Sequence, residues 1–95
     1  MPYVSIRHKV ADYAKWKRVV HAASALRKTS GETSFQVYRD SKSPNDLTVV
    51  CSWDNAGRMK KFMKSAELRK AMKEAGVLGK PAVQFFSKAE DLTVS

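Results

Sequence analysis

The sequence predicts an α+β fold, a four-stranded antiparallel sheet with two helices on one face, and three observations carry the prediction. Four short segments alternate apolar and polar residues, two longer ones repeat apolar residues at i, i+3, i+4 and i+7, and together they follow the order βαββαβ. With 95 residues and no shift in composition, the chain reads as a single domain over residues 1–95.

Tyr3 to Val10 is the first strand, with Val4, Ile6, His8 and Val10 on one side and Tyr3, Ser5, Arg7 and Lys9 on the other. Asp12 is expected to cap a helix running to about Thr29, whose buried stripe is Tyr13, Trp16, Val19, Val20, Ala23 and Leu26. Gly31 closes it, because the residue after a helix usually needs positive φ. Ser34 to Arg39 is the second strand, with Phe35 and Val37 facing one way, and Asp40 to Asp46 is turn material. Leu47 to Trp53 is the third strand, placing Leu47, Val49, Cys51 and Trp53 on one face. Asp54 is the expected N-cap of the second helix. Met59, Phe62, Met63 and Ala66 form its first apolar stripe. Leu68, Ala71, Met72 and Ala75 repeat the spacing out of phase after Ser65, so this helix has two parts. Gly76 ends it, Val77 to Gly79 lead on, and Pro81 opens a last strand in which Val83 and Phe85 alternate with Gln84.

Right-handed crossovers in both βαβ connections leave one compact arrangement, spatial order 4-1-3-2 with both helices on one face, which is the ferredoxin-like fold. The helix-covered face then carries Val4, Ile6, His8, Val10, Phe35 and their counterparts on the other strands. The opposite face carries Tyr3, Arg7, Tyr38, Val50 and Phe86, more apolar than a solvated sheet usually is. A second copy of the chain is expected to cover it, giving a homodimer through this face. The alternative is an open face with scattered surface aromatics.

Lys and Arg number 18 against 9 Asp and Glu, a formal charge of +9 that raises the question of an anionic partner. The basic residues are spread over both helices and several strands, without an interleaved aromatic-basic surface motif, so nucleic acid is disfavoured as a partner. One cysteine, Cys51, cannot make an internal disulfide, and no apolar run approaches a leader or a membrane span. The expectation is a cytoplasmic protein with no membrane association.

The run IRHKVADYAKWK, the strand ending in WD and above all the helix KFMKSAELRKAMKEAGVLGKP resemble the dimeric α/β-barrel proteins related to the antibiotic-biosynthesis monooxygenases. The resemblance covers nearly the whole chain, with Phe62 to Pro81 its most specific piece. It implies dimers whose sheets face each other and a ligand cavity between sheet and helices in each protomer. It also implies a range of activities, from cofactor-independent oxidation of phenols and quinols to haem degradation and lactone isomerisation. Haem-degrading members carry a tryptophan and a histidine on the second helix, where this chain has Phe62 and Met72. Relatives also carry acidic and histidine residues in the first helix, where Ala22 and Ala23 stand beside His21.

Among residues able to do chemistry, His8 is the candidate catalytic group, an imidazole on the helix-covered face whose pKa burial can tune. The competing reading is a histidine satisfied by a backbone carbonyl at the strand end. Tyr13, Trp16, Phe62, Met63 and Phe85 are the candidate lining of a pocket for a small, flat aromatic ligand. Trp53 lies too far along the sheet from His8 to form a dyad and reads as core; His21 reads as solvated and Cys51 as inert. No metal-ligand spacing or phosphate loop occurs, and no cofactor is expected. Two functions stand: a monooxygenase-like protein that binds or oxidises an aromatic metabolite without a cofactor, and a non-catalytic binding or stress-response module on the same scaffold.

Overall fold

The structure, a computed structural model, describes residues 2–94. Eight elements follow in order: β1 (Pro2–Val10), α1 (Tyr13–Ala22), α2 (Ser24–Ser30), β2 (Glu32–Arg39), β3 (Asp46–Trp53), α3 (Ala56–Met63), α4 (Ala66–Glu74) and β4 (Val77–Ser87). The strands form one antiparallel sheet in the order β2-β3-β1-β4, the predicted 4-1-3-2 arrangement read from the other edge. The fold is ferredoxin-like, and alternation along the strands sets its core. Val4, Ile6, Val10, Leu47, Val49, Cys51 and Trp53 are buried from the sheet, and Trp16, Met59, Phe62 and Ala75 meet them from the helices. No helix among the described residues is long and apolar enough to cross a membrane.

Each predicted helix is broken once. Asp12 caps α1 as expected, its Oδ1 accepting from the Ala14 amide at 2.9 Å. The helix does not run through to Thr29, because at Ala23 the amide is shared between the Val19 and Val20 carbonyls, at 3.1 and 3.2 Å. The Val20 carbonyl, near the end of α1, is also taken by the Arg27 guanidinium. Gly31 then terminates α2 at φ 111°, where a Cβ would stand 2.5 Å from Asp54 Oδ1. In the second pair, Ser65 separates the two parts: its hydroxyl donates to the Phe62 carbonyl at 2.7 Å and accepts from the Leu68 amide at 3.2 Å.

Four expectations need correction. The N-cap of α3 is Asn55, whose Oδ1 accepts from Gly57 and Arg58 amides at 2.8 and 3.1 Å; the Asp54 amide is held by Gly31 and its carboxylate by Arg58. Leu26 is 41% exposed, since the break at Ala23 takes α2 out of the rotational phase of α1. β4 begins at Val77, four residues before Pro81, because Val77 and Leu78 already pair with Val10 and Lys9. Between Lys9↔Leu78 and Arg7↔Ala82, the single residue His8 faces Gly79, Lys80 and Pro81. That bulge, on an edge strand, is where a proline without an amide donor and a glycine at φ 71° are tolerated. Last, Val83 and Phe85 do lie on the helix side, opposite Ile6 and Val4, yet are 43% and 45% exposed in this outermost strand.

On the opposite face Tyr3 stacks on Phe86, with ring centroids 5.7 Å apart. Arg7 donates to both carboxylate oxygens of Asp46, at 3.3 and 2.9 Å. Tyr38 and Phe86 remain exposed, Val50 half-buried.

Candidate functional site

A cavity of about 80 Å³ opens between the α1–α2 pair, α4 and the sheet. Trp16, Phe35, Phe62 and Met72 supply most of its character, and the lining is apolar except for Arg27 and Glu67. Its volume accommodates several waters, at ~10–15 Å³ each by this measure, but falls below the ~300–1,000 Å³ typical of drug-sized ligand pockets. Any larger ligand therefore reaches outward. Two surface depressions adjoin the cavity: one shares Trp16, Val20, Arg27 and Phe35 with it, the other Leu26, Phe62 and Glu67.

The sequence places Arg27 in the cavity wall through the break at Ala23, which turns α2 so that this side chain lies back along α1. Arg27 Nε donates to Glu32 Oε1 at 2.9 Å, Nη1 donates to the Val20 carbonyl, and the guanidinium carbon lies 4.3 Å from the Phe35 ring centroid. Both side chains of the ion pair are buried, 14% and 8% exposed. Burial pushes the Glu32 carboxyl above its ordinary value, while Arg27 pulls it the other way. Burial, and then the Glu32 charge, push the Cys51 thiol up, so it stays protonated and unreactive.

The five aromatic and apolar pocket candidates fall in three places. Trp16 and Phe62 line the cavity. Tyr13 stacks on Trp16 at 5.8 Å beneath the Arg39 guanidinium, and it borders the surface depression that also holds Lys17 and His21. Met63 and Phe85 meet in a shallow hollow with Lys60, Lys64 and Val83, beside the outer strand. His8 is outside the cavity, only 7% exposed, with its ring 5.8 Å from that of Trp16. Neither ring nitrogen has a hydrogen-bond partner among the described residues. Burial holds its pKa below the ordinary value, with Asp46 opposing, so the imidazole is neutral near pH 7. Trp53 is core, packed on Phe62 at 5.2 Å. Among the described residues no group of three His, Cys, Asp or Glu side chains is placed to hold a metal ion.

The element that sequence reasoning missed is Arg27. A signal was present: it follows Trp16 by eleven positions and Ala23 by four, so it continues the apolar stripe where a lysine-rich face would be expected elsewhere.

The sequence profile of the family described as antibiotic biosynthesis monooxygenase matches residues 13–74, more than half of the chain. No curated protein matches it in sequence. Solved structures agree in fold. A candidate antibiotic biosynthesis monooxygenase from Bordetella bronchiseptica is 21% identical with a TM-score of 0.77, covering 94% of this chain and 98% of its own. Another from Deinococcus radiodurans is 20% identical with a TM-score of 0.73, covering 100% and 99%. SnoaB, a cofactor-independent oxygenase from Streptomyces nogalater, reaches a TM-score of 0.78 at 13% identity, covering 96% and 95%.

Proposed function

Because the chain belongs to the antibiotic biosynthesis monooxygenase family, we propose that it binds a small aromatic metabolite in the cavity between helices and sheet and oxidises it with molecular oxygen, without a cofactor. The observation that carries the reading is the cavity itself, where Trp16, Phe35 and Phe62 offer ring faces and edges to a flat ligand. The balance of such a reaction needs no external reductant. The ring carbon para to a phenolic hydroxyl, a methylene in the keto tautomer, gives up four electrons to one O₂, becoming a carbonyl while the second oxygen leaves as water. The protein's part is to hold the ring, exclude bulk water and accept a proton from the electron-rich carbon.

For that proton we propose His8, a neutral imidazole free to accept. It touches Trp16 and does not line the cavity, so proton transfer requires the indole to shift. This same geometry favours a second reading, a binding module without turnover, since no imidazole lines the cavity. Oxygen uptake measured against loss of a hydroxylated anthracene or naphthalene separates the two: consumption in step with O₂ supports the oxygenase, and intact recovery of a bound aromatic supports the module. His8→Ala is expected to abolish turnover while sparing binding; an unchanged rate would remove His8 from the mechanism.

The proposal includes a homodimer that covers the face bearing Tyr3, Arg7, Tyr38, Val50 and Phe86. The stacked Tyr3–Phe86 pair and exposed Tyr38 support it as apolar surface awaiting a partner. A native mass spectrum at the monomer mass would overturn it.

A further inference from the structure

Arg27 is the only arginine or lysine in the cavity wall among the described residues. A guanidinium has five N–H donors, and two of them are engaged, one with Glu32 and one with the Val20 carbonyl. Nη2 donates to no group among the described residues. The Phe35 ring under the guanidinium and the two bonds, one from Nε and one from Nη1, hold the group in place. A cation fixed in that way loses little freedom when a further acceptor arrives.

Resting on the reading that this cavity is the ligand site, we propose that Arg27 is its anchor, and that the ligand is a planar aromatic molecule bearing an anionic oxygen, which Arg27 Nη2 receives. The oxygen belongs to a carboxylate, a phenolate or an enolate; the three share the acceptor chemistry that a guanidinium recognises. The ring would then lie among Trp16, Phe35 and Phe62, where apolar walls weaken competition from water and strengthen the charge-assisted bond. Glu32 fits the same arrangement. Its carboxyl is already lifted by burial, so a second anion on Arg27 would draw a proton onto Glu32 and keep the buried charge balanced. Glu67, the other charged residue of the lining, is exposed, and solvent screens its repulsion.

The test is titration of the full chain with benzoate and 2-naphthoate against their methyl esters, followed by tryptophan fluorescence and calorimetry. The acids are expected to bind at least about tenfold more tightly than the esters. Arg27→Met combined with Glu32→Gln, which removes the anchor without stranding its carboxylate, is expected to bring acid and ester within about twofold. Arg27→Lys, which keeps the charge and loses the planar fork, is expected to retain part of the preference and serves where the double variant does not fold. Ala71→Phe fills the cavity and should weaken every probe. Equal affinity for acid and ester, or a preference that survives loss of Arg27, would overturn the anchor and leave the cavity reading standing. Failure of all four probes, or binding indifferent to Ala71→Phe, would overturn the cavity reading and the anchor with it.

Discussion

Two buried polar groups lie under the first helical pair and are treated in opposite ways. Arg27 and Glu32 form an ion pair at 2.9 Å, with a helix carbonyl and a ring face completing the guanidinium's surroundings. His8 has neither ring nitrogen bonded among the described residues, although it is at least as buried. The pair keeps its charge because each partner offsets the other's lost hydration. The histidine avoids the problem by staying neutral, and still carries two unanswered polar atoms. A polar group without a partner is a cost that packing alone does not explain, whereas a partnered one is fully accounted for by structure. Free donors on the partnered group are therefore the better guide to a ligand, and the unpartnered imidazole the better guide to a titration.

The largest effect expected from this contrast is at the pair. Arg27→Met leaves Glu32 buried without its cation and should cost about 3–5 kcal/mol in chemical denaturation, with much of that recovered when Glu32→Gln is added. A loss below about 1 kcal/mol would mean that the pair is solvated and the comparison misdrawn.

His8 comes next. Its folded pKa lies below the unfolded value of 6.5, so its contribution to stability is complete above that value and is lost as pH falls below 6.5 through the folded pKa. Thermal unfolding followed from pH 7.5 to 5 should show this decline, and His8→Leu should flatten the part due to the imidazole, leaving the carboxylates to act at lower pH. The same variant should gain about 1–3 kcal/mol, since it replaces two unsatisfied polar atoms by apolar surface. A destabilised His8→Leu protein would show instead that the imidazole has a partner in solution, as a working base would.

How far these sites were legible in the sequence differs between them. Alternation along the strands put His8 on the helix-covered side at once, and the crossover rule then fixed the order of the four strands. The glycine stops at Gly31 and Gly76 were equally readable, because both have positive φ. Arg27 fell on the stripe that Trp16 and Ala23 mark, but the break at Ala23 was hidden, since it has neither proline nor glycine to announce it and depends on a side chain seven residues from the carbonyl it holds. The bulge at Gly79 to Pro81 was read as a strand start, since a proline forbids a ladder bond wherever it stands and only the edge position of β4 makes it acceptable mid-strand. For the candidate pocket, periodicity could say that Tyr13, Trp16, Phe62, Met63 and Phe85 turn inward. It could not say that three of them fall outside the cavity shared by Trp16 and Phe62.

The smallest expected effect calibrates the other two by removing a satisfied polar bond where water can replace it. Asn55 is exposed, and its Oδ1 accepts from two amides at the start of α3, at 2.8 and 3.1 Å. Asn55→Ala frees those amides to solvent, so the loss should be about 1 kcal/mol, well under that at Arg27, and independent of pH between 5 and 7.5. Asp54→Ala tests the assignment from the neighbouring position. Its carboxylate lies beside Gly31 and its one polar partner among the described residues is Arg58, an exposed pair of the kind that contributes about 0.2–1 kcal/mol. Equal or reversed losses at the two positions, measured by urea midpoints at constant m-value, would show that the cap has been assigned to the wrong residue. A loss at Asn55 as large as that at Arg27 would show that burial does not set the scale of these costs.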